Sequence, residues 1–297
     1  MKVLCFGSAN LDHIYQVDHF TKPGETQSCI DYAVCCGGKG SNQAIALALS
    51  GTDTWFAGII GNDGLRLKET LIEKGVCVDY LKCSDAHTGH AVIEVDRNGQ
   101  NRIVLYGGTN KAITKEYVDE VLSHFSAGDV VVLQNEINLI PYIIDQCSER
   151  GMKVVFNAAP YDDTLRDFPI EKTTWLVVNE TEGAGLSGST DYSEIPLLLK
   201  KRYPKTDILF TMGKAGSRIV TEDEDIVTAA LKVTTVDTTA AGDTFIGYFV
   251  RGLTDGLSLF DTARLATAAS AISVTRKGAV DSIPAYDEVI GCAWTET

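Results

Sequence analysis

The sequence predicts a three-layer α/β/α fold with a mostly parallel central sheet and a small β-sheet lid. Three observations carry this expectation. Short β-branched runs alternate with stretches of helical period through much of the chain, the pattern of a parallel sheet covered by helices on both faces. Two segments, residues 12–35 and 88–107, interrupt that pattern with short alternating runs of their own. The composition, 297 residues with 44% hydrophobic and 22% charged, is that of a globular chain long enough for a sizeable core.

Taken in order, Met1-Lys2-Val3-Leu4-Cys5-Phe6-Gly7 reads as a first strand and is too short for the apolar region of a signal peptide. Residues 12–35 turn at Pro23-Gly24. Thr88 to Asp96 and Gln100 to Tyr106 flank Arg97-Asn98-Gly99, and Asn-Gly between alternating runs is a strong hairpin signal. Helical period covers Lys115 to His124 and Leu139 to Arg150, among β-branched runs at 129–133, 153–156, 174–178 and 207–210. The acidic run Glu222-Asp223-Glu224-Asp225 reads as a solvated turn between strands. We therefore expect one domain over residues 1–297, its lid formed by the two insertions. No internal repeat or low-complexity segment is present.

Net charge is −14 with a pI near 4.8. An acidic surface argues against nucleic acid or an anionic membrane as partner. Any phosphate site must then be built locally, from amides, a cation and a few basic residues. No apolar run approaches a membrane span, and a cytoplasmic location is expected. The eight cysteines (5, 29, 35, 36, 77, 83, 147 and 292) form no Cys-x-x-Cys pair, and most are expected to be reduced core residues. The five histidines show no ligand spacing.

The most informative stretch is Val236-Asp237-Thr238-Thr239-Ala240-Ala241-Gly242-Asp243-Thr244-Phe245. An extended run from Val233 to Val236 ends in small residues, and an apolar helical stretch follows. Free amides around Ala241 and Gly242 at a helix N-terminus would attract an anion, and Gly242 would let a phosphate approach the backbone. A carboxylate inside an anion site is repulsive. Asp243 makes sense there if it takes a proton from a hydroxyl that attacks phosphorus. Taken alone, an Asp favoured by the helix dipole explains the position as well.

Two glycine-rich stretches suggest rival readings. Gly183-Ala184-Gly185-Leu186-Ser187-Gly188 matches a dinucleotide fingerprint, but Asn179-Glu180-Thr181-Glu182 separates it from the preceding strand, and Glu182 would repel a pyrophosphate. Gly37-Gly38-Lys39-Gly40-Ser41 resembles a Walker A loop, but its Lys is followed by Gly and the upstream glycine is missing. Asn10 and Asp12, two apart in extended chain, share one face; there a carboxylate can accept from two vicinal hydroxyls, or the pair can form an Asx turn. Asn179 and Glu182 share a helix face where oxygen ligands suit Mg2+ held through water. A capping box is the compatible alternative.

Residues 235–247 resemble one signature of the ribokinase-like (PfkB) carbohydrate kinases, and Cys36-Gly37-Gly38-Lys39-Gly40-Ser41-Asn42-Gln43-Ala44 resembles the other. Asn179 to Glu182 and Thr211-Met212-Gly213-Lys214-Ala215-Gly216 are similar to that family's magnesium-side and nucleotide-side segments. Val274-Thr275-Arg276-Lys277-Gly278-Ala279 is similar to the tail of its ribokinase branch. The five motifs stand in the family's order and span essentially the whole chain.

The resemblance implies transfer of the γ-phosphate of ATP to a sugar hydroxymethyl group, with D-ribose as the expected acceptor and ribose 5-phosphate as product. A same-fold kinase for a nucleoside, a fructose derivative or a sugar acid is the alternative, and a non-catalytic sugar sensor a second. It implies that Asp243 is the base and that the amides of Ala240, Ala241, Gly242 and Asp243 hold the phosphoryl group. It implies that Asn10, Asp12, Gly38, Lys39, Asn42 and Glu136 orient the sugar. Asn179, Thr211, Gly213, Gly216, Gly242 and Thr267 would meet the nucleotide, Thr267 in place of a larger polar residue. Asn179 and Glu182 would serve Mg2+. Asp237, Thr239, Ser273, Arg276, Gly278 and Ser282 would serve K+, mostly through carbonyls; the alternative is that Asp237 caps its turn and Arg276 neutralises it. The family's lids often pair between subunits, which implies a homodimer. Asn157-Ala158-Ala159-Pro160 departs from the family's Asn-Pro-Ala-Pro, and Asp281 adds charge beside the expected cation loop.

Overall fold

The computed structural model describes residues 1–291. The strands in chain order are β1 (Val3–Phe6), β2 (Asn10–Gln16), β3 (Asp31–Gly37), β4 (Thr54–Gly61), β5 (Cys77–Ser84), β6 (Gly89–Val95), β7 (Asn101–Tyr106), β8 (Val130–Gln134), β9 (Lys153–Asn157), β10 (Trp175–Val178), β11 (Asp207–Thr211), β12 (Ser217–Val220) and β13 (Asp225–Thr228). The α-helices are α1 (Lys39–Leu49), α2 (Leu65–Glu73), α3 (Lys115–Leu122), α4 (Ile140–Glu149), α5 (Glu180–Ser187), α6 (Ile195–Arg202), α7 (Ala241–Thr254), α8 (Leu259–Ser273) and α9 (Tyr286–Gly291).

Nine strands form the main sheet in the order β13-β12-β11-β10-β9-β8-β1-β4-β5. From β11 to β5 all neighbours are parallel, while β12 and β13 add an antiparallel edge. The inner strands are continuous apolar runs because both faces are covered. Val130 to Leu133, for example, are all buried. One face packs on α1, α2, α7 and α8 through residues such as Ile45, Leu71, Phe249 and Ala266. The other packs on α3, α4, α5 and α6 through Tyr117, Ile144, Leu186 and Leu199. These are the three layers that the alternation predicted.

A second sheet of four strands, ordered β3-β2-β6-β7, stands apart from the layers. The β6–β7 hairpin closes where Asp96 and Gln100 pair, with Gly99 at φ 76° in its loop. The small sheet begins at Asn10 and ends at Gly37 in its first part, so Asn10 and Asp12 belong to a strand and do not form an Asx turn.

The extended run from Val233 to Val236 joins no sheet. It is an unpaired segment between β13 and α7, with Val233 and Val236 exposed. Its last amide bonds the Val274 carbonyl at 2.7 Å, so it docks on the turn after α8 and has no strand to extend. One expectation needs correction: most of the described cysteines are not core residues. Among them only Cys5 and Cys147 are buried, while Cys29, Cys35 and Cys83 are exposed. Cys29 precedes and Cys35 lies on a lid strand outside the three layers, and Cys292 lies outside the described residues. None of the described cysteines is in a disulfide. No helix among the described residues is long and apolar enough to cross a membrane.

Candidate active site

The site lies at the carboxyl ends of the parallel strands, where β1 is flanked by β4 on one side and β8 on the other. Open α/β sheets bind ligands at such a reversal. The chain leaves β1 through Gly7-Ser8-Ala9 into β2, and returns from β3 into α1 at the same place. Two glycines let these segments touch. Gly38, the N-cap of α1, holds φ 96°. At Gly40 an added Cβ would stand 2.3 Å from the Ser8 nitrogen, so only glycine fits there.

This contact assembles the expected sugar residues. Asn10 is buried, and its Oδ1 accepts from Nδ2 of Asn110 at 2.7 Å. Glu136 follows β8; its Oε2 accepts from the Lys39 amide at 3.1 Å and from the Ser8 hydroxyl. Burial pushes the Asp12 carboxyl up to about 7, Glu136 repels it further, and Lys39 opposes both. Burial alone would lower the Lys39 ammonium. The charges of Asp243, Glu136, Glu182 and Asp12 outweigh it and hold Lys39 above its usual range. Lys39 is thus a cation shared among four carboxylates.

Asp243 lies in the first turn of α7 and is 8% exposed. Its Oδ2 accepts from Asn42 Nδ2 at 3.1 Å and its Oδ1 from Gln43 Nε2 at 2.9 Å. Asn42 therefore grips the carboxylate, and its own buried Oδ1 has no partner. Ala240, the N-cap, adopts φ 58°, a left-handed conformation that costs about 1–2 kcal/mol for a residue with a Cβ. This turns the chain sharply into the helix. The Ala241 amide donates to the Thr238 carbonyl at 3.2 Å, so it is not free in this conformation, contrary to expectation. The amides of Gly242 and Asp243 have no protein acceptor among the described residues. An added Cβ at Gly242 would meet nothing within 4 Å; the approach to these amides is open.

A cavity of about 230 Å³ runs from Lys39, Gly242 and Asp243 past Asn179 and Glu182 to Thr211. Asn179 and Glu182 form a capping box: Asn179 Oδ1 accepts from the amides of Thr181 and Glu182, and Glu182 Oε2 accepts from the Asn179 amide at 2.9 Å. Burial holds the Glu182 carboxyl above its ordinary value, and the Asn179 amide partly offsets this. Glu182 lines the same cavity as Gly242 and Asp243. No group of three or more His, Cys, Asp or Glu among the described residues could hold a metal. The donor set fits Mg2+ bound through water.

Gly213 and Gly216 make the tight β11–β12 turn, at φ 48° and 99°, just beyond Thr211. Neither they nor Thr267 lines the cavity. Thr267 is buried in α8 with its hydroxyl unpartnered. Of the expected cation residues, Asp237, Thr239 and Gly278 meet. Asp237 accepts from the Thr239 amide and hydroxyl at 2.9 and 2.7 Å and from the Gly278 amide at 2.9 Å. Burial would raise its carboxyl, but these bonds outweigh burial and hold it below the usual range. Arg276 pairs with Glu288, so it does not neutralise Asp237. The Ser273 and Ser282 hydroxyls donate to the Ser270 and Ala279 carbonyls. The carbonyls of Asp237, Thr239 and Gly278 accept no hydrogen bond from the described residues, a donor set that fits K+.

Gly183 and Gly185 lie inside α5, and Gly188 is its left-handed C-cap, so the dinucleotide fingerprint is not a phosphate loop. Sequence reasoning gave no role to Ser8, Asn110, Gln43 or Gln134. Gln43 stood inside the quoted motif, but its partners on β8 and α7 are distant in sequence.

The pattern of the pfkB family carbohydrate kinase matches residues 1–286. Ribokinase of Staphylococcus aureus is 36% identical over 97% of this chain and 98% of its own length. Ribokinase of Haemophilus influenzae is 33% identical over 96% and 95%. The solved structure of Arabidopsis thaliana ribokinase complexed with ribose and ATP superposes with a TM-score of 0.87 at 29% identity, covering 98% of this chain and 97% of that one. The chain belongs to the pfkB family of carbohydrate kinases.

Proposed function

We propose that this chain transfers the γ-phosphate of ATP to the hydroxymethyl oxygen of D-ribose, giving ribose 5-phosphate and ADP. The observation that carries the reading is Asp243, a buried carboxylate next to two acceptor-less amides at a helix N-terminus. Binding alone does not require that pairing, but proton abstraction beside a phosphoryl group does. The relatives named ribokinase, and the neighbour complexed with ribose and ATP, support the same substrates.

In this reading Asn10, Asp12 and Glu136 accept from the sugar hydroxyls, and Lys39 and the unpartnered Asn42 Oδ1 help fix the reacting arm. Asp243 takes the hydroxymethyl proton as that oxygen attacks the γ-phosphorus. The bond from phosphorus to the ADP oxygen breaks. The amides of Gly242 and Asp243 meet the charge that gathers on the phosphoryl oxygens. Asn179 and Glu182 would hold Mg2+ through water, which neutralises phosphate charge when bound. The carbonyls around Asp237, Thr239 and Gly278 would hold K+, which orders the segment leading into α7. Thr211, Gly213 and Gly216 would pass beneath the nucleotide, with Thr267 near its base.

A nucleoside acceptor would need an aromatic platform in the lid. Tyr15 and Tyr32 pair across β2 and β3 with ring centroids 4.8 Å apart. They alternate with Asp12 along the strand and so face away from it, which favours the free sugar. The test is ADP release across a panel of pentoses, hexoses and nucleosides, with the phosphorylated carbon located by NMR. Ribose phosphorylated at its hydroxymethyl carbon with the highest kcat/KM is expected. A nucleoside or hexose that outperforms it would overturn the assignment.

A further inference from the structure

Behind Asp243 the buried interior is polar. Gln43, on α1, is fully buried, and its Nε2 donates to Asp243 Oδ1 at 2.9 Å. Its Oε1 accepts from Nε2 of Gln134, at the end of β8 and also fully buried, at 2.8 Å. The Gln134 amide nitrogen lies 3.6 Å from Cys5 Sγ on β1. The Cys5 thiol in turn donates to the Gly40 carbonyl at 3.1 Å. Burial pushes that thiol up to about 12, so it stays protonated and adds no charge.

The orientation of this chain is dictated chemically. An ionised carboxylate only accepts hydrogen bonds. Gln43 must therefore turn its NH2 to Asp243 and its oxygen to Gln134, and Gln134 must turn its own NH2 to Gln43. The remaining Gln134 oxygen is left with no partner. It packs where Gly7 has no side chain; a Cβ on Gly7 would come within 2.1 Å of it. A buried unsatisfied carbonyl is costly, and the chain tolerates one so that Gln134 holds Gln43 with its NH2 on Asp243.

We infer that Gln43, backed by Gln134, is a positioning residue for phosphoryl transfer: it fixes the Asp243 carboxylate and favours its ionised, proton-accepting form. The inference rests on the proposed role of Asp243 as base. Hydrogen bonds to the charged form of a carboxylate favour that form. The titratable groups facing Asp243 are Lys39 from α1 and Cys5 from β1, with Glu182 from α5 across the cavity. None of them replaces the Gln43 donor, because Cys5 bonds the Gly40 carbonyl and Lys39 is shared among four carboxylates.

The test is the pH profile of kcat for Gln43→Met, Gln43→Glu and Gln134→Met with ribose and ATP. Gln43→Met is expected to lower kcat roughly 10-fold and to move the acid limb of the profile up by about one pH unit, with sugar KM within about threefold. Gln43→Glu places a second carboxyl beside the first and should move the limb at least as far. Gln134→Met removes the outer link and should give the same shift, smaller, so it carries the test if the Gln43 variants fail to fold. Folded variants that keep the acid limb within about 0.2 unit and kcat within about twofold would overturn the inference. So would a lower melting temperature and kcat with an unmoved limb. Asp243→Asn separates the two levels: if it stays active the base reading fails, and if it is inactive while the Gln43 variants behave as wild type, only the role of Gln43 fails.

Discussion

At the scale of single residues, Asp12 has chemistry strongly altered by its surroundings. Its carboxyl is pushed up to about 7, first by burial and then by Glu136. Sugar hydroxyls donate to a carboxylate but compete poorly for a protonated acid, so ribose should favour ionised Asp12. The sign follows: below pH 7 the free protein carries protonated Asp12 and binds ribose weakly, and affinity rises as pH passes through that value. We expect the ribose KM to fall between pH 6 and pH 8, and Asp12→Asn to weaken ribose and flatten this dependence while ATP affinity stays put. A KM independent of pH in the wild type would contradict it. Asp12 could be read from the sequence as a candidate, because its spacing from Asn10 and its place after β1 are local. Its environment could not, because Glu136 and Lys39 are brought to it only by the meeting of β2, β8 and α1.

Among elements, α1 does most to organise the site. One helix presents Lys39 and Asn42 and anchors Asp243 through Asn42 and Gln43. It can do so only because Gly40 admits the Ser8 backbone. Gly40→Ala should cost about 1–3 kcal/mol, as overpacking does, and should weaken ribose binding. Unchanged thermal stability would show that the close contact is not obligatory. The segment before α7 is a second test. Asp237 ties residues 237–239 to Gly278, leaving carbonyls free around it. Activity should be higher in potassium than in sodium or a bulky organic cation at equal ionic strength. Identical rates in all three would remove the cation site. The glycine motifs were legible here because a helix start needs local residues. The bond from the Ala241 amide to Thr238 was not, because it follows from the left-handed turn at Ala240, a conformation that alanine does not advertise.

For the whole molecule, the parallel order of the main sheet brings β1, β8, β9, β10 and β11 to one rim, and each contributes a residue or a following loop to the site. The alternating pattern made this architecture readable, as did the Asn98-Gly99 turn for the lid hairpin. The segment 233–236 joins no sheet: β-branched residues favour extended chain whether or not a partner strand exists. The lid leaves all six residues of β7 exposed, Ile103, Val104, Leu105 and Tyr106 among them. Such an edge is normally covered or paired, and we expect light scattering to give twice the chain mass at working concentration; a particle of single-chain mass would rule out the lid-paired dimer. In the proposed reaction Asp243 takes the proton as ribose attacks ATP. The most direct test of this step is ADP release by Asp243→Asn with ribose and ATP, alongside binding of both ligands by calorimetry. We predict binding near wild type and turnover lower by about 10²–10⁴-fold, the usual contribution of a general base; a variant that retains more than about a tenth of wild-type kcat would contradict the account.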